Sequence, residues 1–201
     1  MPERVHTDDE RAPNRRQALV AAAFTRVAEA GFEGLRTRDV AADAGVNVAT
    51  LHYYFPTKES LIRGVVGQAM LRFGRSLPNE GSASEQLRWH FLFLRRMLKE
   101  DSELFAVMGE LALRAARDPV IASILRDTDE PWHRQLATLL RRGVEQGCLA
   151  AELDPEDAAA VIIAAIKGVS LPGESPLRRQ RIDQAFGQLE RWLGLEVAHD
   201  A

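Results

Sequence analysis

Thr37-Arg-Asp-Val-Ala-Ala-Asp-Ala-Gly-Val-Asn-Val-Ala-Thr-Leu-His-Tyr-Tyr-Phe55 is the stretch whose reading decides the fold. Thr37 is a helix-capping residue type, and Val40, Ala41 and Ala44 fall on one side of a short helix over 38–44 that stops at Gly45. Asn47 is a second cap, opening a helix over 48–54. With Leu51 turned inward at ~100° per residue, Asn47, Val48, Tyr54 and Phe55 lie on or near the inner side, and Ala49, Thr50, His52 and Tyr53 point outward. Two short helices joined by a glycine-containing turn, with a third packed behind, form the helix-turn-helix arrangement.

Outward from this stretch the helical period continues. Upstream, Leu19, Ala22, Ala23, Phe24, Val27 and Ala30 recur at helical spacing over 14–30 and stop at Gly31. Residues 1–12 carry Pro and charge without apolar periodicity and read as a flexible arm. Downstream, Thr57 caps a helix over 57–75 whose apolar side holds Leu61, Ile62, Val65, Val66, Ala69, Met70 and Phe73. This fourth helix reads as the link between a DNA-binding domain over 13–58 and a larger domain over 76–201. Breaks at 78–81, Asp118-Pro119, Gly147, Asp154-Pro155 and 171–176 leave room for five more helices. No alternating strand pattern and no internal repeat is visible, so the chain reads as all-α with about nine helices.

Composition sets bounds. The chain has 201 residues, 46% hydrophobic, enough for a core in one domain or two. A formal net charge of -3 gives no global basic signal, so nucleic-acid binding has to rest on local charge. Cys148 is the single cysteine, which excludes an intramolecular disulfide and argues against a cysteine-based zinc site. No apolar run approaches the ~18 residues of a spanning helix, and the charged start is not an export signal, so no membrane partner and a cytoplasmic location are expected. Neither a metal-spaced His/Glu pair, nor a phosphate loop, nor a nucleophile motif appears; no cofactor and no catalysis are expected.

The outward face of the third helix suits DNA. Thr50 and Tyr53 can donate to phosphate oxygens, His52 can reach a base edge or a phosphate, and Ala49 permits close approach or contact with a thymine methyl. Lys58 sits in the first turn of the fourth helix, where a cation is unfavourable unless an anion lies nearby. Phe24, Phe32, Val40, Val46, Leu51 and Phe55 read as core, and Tyr54 is either a contact or a half-buried aromatic. Arg15 and Arg16 either touch the DNA backbone or sit in water.

Gly31-Phe32, Thr37-Arg-Asp-Val-Ala-Ala-Asp-Ala-Gly-Val46 and Thr50-Leu-His-Tyr-Tyr-Phe-Pro-Thr-Lys-Glu59 together resemble the signature of the TetR family of transcriptional regulators. The resemblance covers nearly all of the N-terminal quarter. It implies that Thr37, Thr50, Tyr53 and Lys58 occupy phosphate-contacting positions. It also implies that Arg38 reaches the major groove, where it is the best candidate for guanine readout. His52 stands where the family usually has Tyr, Tyr54 where it often has His, and Val48 where a basic or small polar residue is frequent; these departures bear on which operator is read. The resemblance further implies a ligand cavity among the middle helices and a homodimer formed through the last two, reading a roughly palindromic double-stranded DNA operator.

In the larger domain Trp89, His90, Phe93, Met97, Phe105, Met108, Glu110, Trp132 and His133 are the candidate ligand set. His90, Glu110 and His133 are polar groups amid apolar neighbours, and each needs a partner, from a ligand or from a neighbouring helix. The wall favours an apolar or aromatic small-molecule effector. Ala158, Ile162, Ala165 and Ile166, with Ile182, Phe186, Leu189 and Trp192, form two apolar stripes that either pack on a twofold mate or cover the domain's own core. The functional expectation is a ligand-responsive repressor. The alternative is a helical-bundle carrier or enzyme whose N-terminal helices contact protein, with His90 and Glu110 as acid and base.

Overall fold

The computed structural model describes residues 11–73, 80–170 and 176–195. Among them are nine α-helices, one 3-10 turn and no strand: α1 Arg11–Ala30, the turn Phe32–Gly34, α2 Thr37–Asp43, α3 Val48–Tyr54, α4 Lys58–Phe73, α5 Ala83–Glu100, α6 Ser102–Ala115, α7 Pro119–Glu145, α8 Pro155–Val169 and α9 Pro176–Trp192. The all-α expectation holds. Residues 1–10 of the expected arm lie outside the described residues, while Arg11 and Ala12 already belong to α1.

The described chain forms two compact units, 11–71 with Ala106–Ile124, and 72–105 with 125–195. From the sequence, residues 13–58 and 76–201 are expected as two domains linked through the fourth helix. Instead α4 up to Leu71, the later part of α6 and the start of α7 join the helix-turn-helix. The cause is apolar burial: Ile121 and Ile124 line the same cleft as Phe32 and Ile62, and all four are buried. Hydrophobic periodicity in 106–124 announces a buried face without saying what covers it.

In the first unit Leu19, Val20, Ala23, Phe24 and Val27 of α1 are buried, each larger side chain worth about 1.5–3 kcal/mol against exposure. The helix ends at Gly31, with φ 60 and ψ -165. That conformation is essentially closed to residues with a Cβ. A Cβ there would also meet the Glu110 carboxylate at 2.8 Å. α2 differs from expectation by one residue at each end. Thr37 is the first helical residue rather than the cap, because Val40 N–H already bonds the carbonyl of the extended Arg36, and Ala44 follows the last turn. At its other end Val46 N–H bonds Ala41 C=O and Gly45 N–H bonds Ala42 C=O, at 2.9 and 3.0 Å, with Gly45 at φ 66. This is a Schellman closure, and it sets the turn between the two short helices. Asn47 Oδ1 then accepts from Thr50 N–H at 2.7 Å and caps α3. Thr57 Oγ1 accepts from Ser60 N–H at 3.0 Å, and Ser60 Oγ accepts from Thr57 N–H at 3.2 Å, capping α4 reciprocally.

The second unit is held by α5 and α9. Ser82 and Glu85 form a capping box at the start of α5. Phe91 and Phe186, both fully buried, meet edge to face at 5.8 Å between ring centroids. Outside that contact Asp183 of α9 accepts from Lys99 Nζ and from Arg95 Nε at 2.6 Å, which in that order hold its carboxyl below the usual range. Arg178 and Arg88 donate to the carbonyls of Leu98 and Leu195. Asp154 caps α8 through Glu156 and Asp157 N–H, with Pro155 in the first turn.

Candidate nucleic-acid interface and effector domain

On α3 only Leu51 is buried, so the helix presents most of its surface outward. Ala49, His52 and Tyr53 are exposed and share one face at i, i+3, i+4 spacing, Tyr53 being 80% exposed. Tyr53 meets Tyr54 edge-on at 5.1 Å, and Tyr54 is half-buried. Of the other candidates, Arg38 and Lys58 are exposed, while Thr37, Val48 and Thr50 are half-buried. The Asn47 side chain is exposed, yet its Oδ1 is occupied by the Thr50 N–H and by the Thr50 hydroxyl at 2.9 Å. Among the described residues Arg36, Arg38 and Lys58 enter no ion pair, so their donors are open. Arg36 was absent from the sequence candidates; its only signal is its place beside Arg38 at the start of α2.

Two carboxylates on α2 would repel a phosphate backbone. Arg26 of α1 answers both: its guanidinium bonds the Asp43 carboxylate at both oxygens and lies 3.8 Å from Asp39 Oδ2. The hydrogen bonds from Arg26 hold the Asp43 carboxyl below its ordinary range. A group whose folded value is depressed contributes stability above its unfolded value and loses it as pH falls through the folded one. Arg26→Ala is therefore expected to lower thermal stability at neutral pH, with the gap to the parent protein closing below about pH 4. Melting curves across pH check this, and a constant gap down to acid would contradict it.

The ligand candidates divide. His90 is fully buried and its Nε2 accepts from the Trp132 indole N–H at 3.4 Å, the two rings meeting at 69°. Phe93 is half-buried, Met97 is buried, and Phe105 is buried edge-on to Phe73. Trp89 is 51% exposed and faces away from that core. His133 Nδ1 lies 3.6 Å from Glu156, which Arg141 also binds at 2.9 Å. Met108 and Glu110 belong to the first unit, where the Glu110 carboxylate stands over Gly31. His90 and Glu110 thus fall in different units. Among the described residues no cluster of potential metal ligands occurs, and no helix is long and apolar enough to cross a membrane.

Two family models match the chain. "Bacterial regulatory proteins, tetR family" covers residues 19–65, and "BetI-type transcriptional repressor, C-terminal" covers residues 84–193, over half the chain. The chain belongs to the TetR family. It is a ligand-responsive, DNA-binding transcriptional regulator and not an enzyme. Among its relatives is the HTH-type nicotine-responsive transcriptional repressor HdnoR of Paenarthrobacter nicotinovorans, 25% identical over 63% of this chain and 68% of that protein. A TetR-family regulator from Rhodococcus sp. shares the fold at a TM-score of 0.77 and 24% identity, over 90% of this chain and 99% of that one. A regulator from Saccharomonospora viridis, solved with choline, does so at 0.72 and 21%, over 89% and 96%.

In this TetR-family chain the candidate dimer residues sit mostly inside the protomer. Ala158, Ile162, Ile166, Ile182, Phe186 and Leu189 are buried in the second unit, which leaves half-buried Ala165 and 45% exposed Trp192 of that set at the surface. The stripes read from the sequence are the faces that α8 and α9 turn to their own core. Apolar side chains on the other side, Val161 and Leu177, are each 53% exposed.

Proposed function

We propose that this regulator is a repressor acting as a homodimer in the cytoplasm, with Arg38, Ala49 and His52 entering the major groove and Tyr53 binding a phosphate beside it. Thr37, Thr50 and Lys58 bind flanking phosphates. The observation that carries the reading is the exposed Ala49-His52-Tyr53 face on a helix capped at both ends, flanked by cations with open donors. Val161 and Ala165 of α8, with Leu177 and Trp192 of α9, supply the contact with the second copy, burying apolar side chains that the protomer leaves exposed or half-exposed. That symmetry requires an operator with two half-sites.

The effector is a small apolar or aromatic molecule bound beside His90 and Trp132. HdnoR responds to nicotine and the S. viridis regulator was solved with choline; aromatic walls suit such molecules, ammonium groups included. Binding releases the operator only if the effector has unequal affinity for the two conformations of the protein. The test uses a duplex that the protein selects from a random-sequence pool. A panel of aromatic and ammonium compounds is titrated onto the complex while tryptophan fluorescence, compared with that of Trp132→Phe to isolate the Trp132 signal, reports occupancy. The expected result is a compound that quenches Trp132 and weakens the complex at least about tenfold, a coupling of about 1.4 kcal/mol. Compounds that quench Trp132 yet leave duplex affinity unchanged would overturn the switching role.

A further inference from the structure

We infer that Arg16, on α1 and outside the helix-turn-helix itself, is a preassembled clamp for the operator's sugar-phosphate backbone. This rests on the DNA-binding reading above and extends it to a third helix. The Arg16 guanidinium carbon lies 5.1 Å from the centroid of the Phe55 ring. Phe55 is the residue that closes α3, its N–H bonded to Leu51 C=O at 2.8 Å, and it is only 2% exposed. The same ring is approached by α4, because a Cβ on Gly64 would lie 3.2 Å from Phe55 Cε1. Arg16 is thereby held against Phe55, the residue that ends α3 and stands three positions before Lys58.

Three properties of this arrangement point to phosphate. First, Arg16 is exposed and forms no hydrogen bond or ion pair among the described residues, whereas Arg26 of the same helix is taken up by Asp43 and Asp39. A guanidinium held over an aromatic ring uses none of its N–H donors on that contact, and they stay open for a bidentate partner. Second, the ring contact restricts the side chain before binding, so less rotamer freedom is lost when a phosphate arrives. Third, the chain that leaves Phe55 runs within three residues into the first turn of α4, which carries Lys58 and a positive dipole end, so anions are favoured where α3 hands over to α4. A base edge is a poorer partner, because α3 and α2 already supply the groove-facing residues.

The experiment measures affinity for the selected duplex and for an unrelated duplex of about 30 base pairs across a salt series, for the parent protein, Arg16→Ala, Arg16→Gln and Lys58→Ala. Arg16→Ala and Arg16→Gln are expected to weaken both duplexes by a similar factor, about tenfold, and to lower the slope of log affinity against log salt by about 1. Gln keeps a flat polar group over Phe55, so its melting temperature stays near that of the parent while the slope still falls. A parent-like slope in both Arg16 variants, beside a reduced slope in Lys58→Ala, would overturn the clamp alone and leave Arg16 as a cover for Phe55. A parent protein with no salt-dependent duplex binding would overturn the DNA-binding reading and the clamp together.

Discussion

Arg38→Ala is expected to lose most of the preference for the selected duplex, falling about 5- to 150-fold in affinity, or about 1–3 kcal/mol. Affinity for unrelated DNA should change far less. The argument is geometric and electrostatic: Arg38 is in the first turn of α2, exposed, with its donors open, while Asp39 and Asp43 on the same helix are covered by Arg26. A bidentate guanidinium on guanine carries sequence information, whereas a phosphate contact does not. Equilibrium binding to the selected duplex and to single-base variants of it reads the difference. Equal losses on every duplex would reassign Arg38 to the backbone.

The second large effect concerns stability. Phe186→Ala removes a fully buried ring that stacks edge-on with Phe91 at 5.8 Å, and the expected cost is about 3–5 kcal/mol. Because that ring faces the protomer's own core, the loss should appear equally at low and high protein concentration. Trp192→Ala, by contrast, changes a residue 45% exposed on the same helix, and its effect should grow on dilution as the dimer dissociates. Denaturation at two protein concentrations separates them. A Phe186→Ala effect that vanishes at high concentration would restore that residue to the dimer face.

These cases show what the sequence carried and what it did not. The helix-turn-helix was readable to within a residue because its punctuation is local: Gly45, Asn47 and Thr57 close turns through their own backbone and side chains. Thr37 misled by one position because Arg36 holds the extended conformation that a cap requires. The break between α5 and α6 carries neither Pro nor Gly. There Asp101 ends one helix and accepts from Leu104 N–H at 3.0 Å to start the next, while Arg72 binds its carboxylate. Partnership across distance was illegible for a deeper reason. Periodicity shows that Ile162 or Phe186 lies on a buried face, yet a core and a dimer interface bury the same kind of stripe. Likewise nothing in the spacing of residues 26 and 43, or of 16 and 55, announces an ion pair or a stacked cation, since both arise from the packing of α1.

The central claim is that the α3 face reads duplex DNA, and a hydroxyl-radical footprint of the parent protein on its selected duplex tests it most directly. The account predicts two protected tracts related by twofold symmetry and centred about 34 Å apart, or a little more, both lost in Arg38→Ala. A duplex left unprotected at protein concentrations far above those needed for nonspecific binding would contradict it.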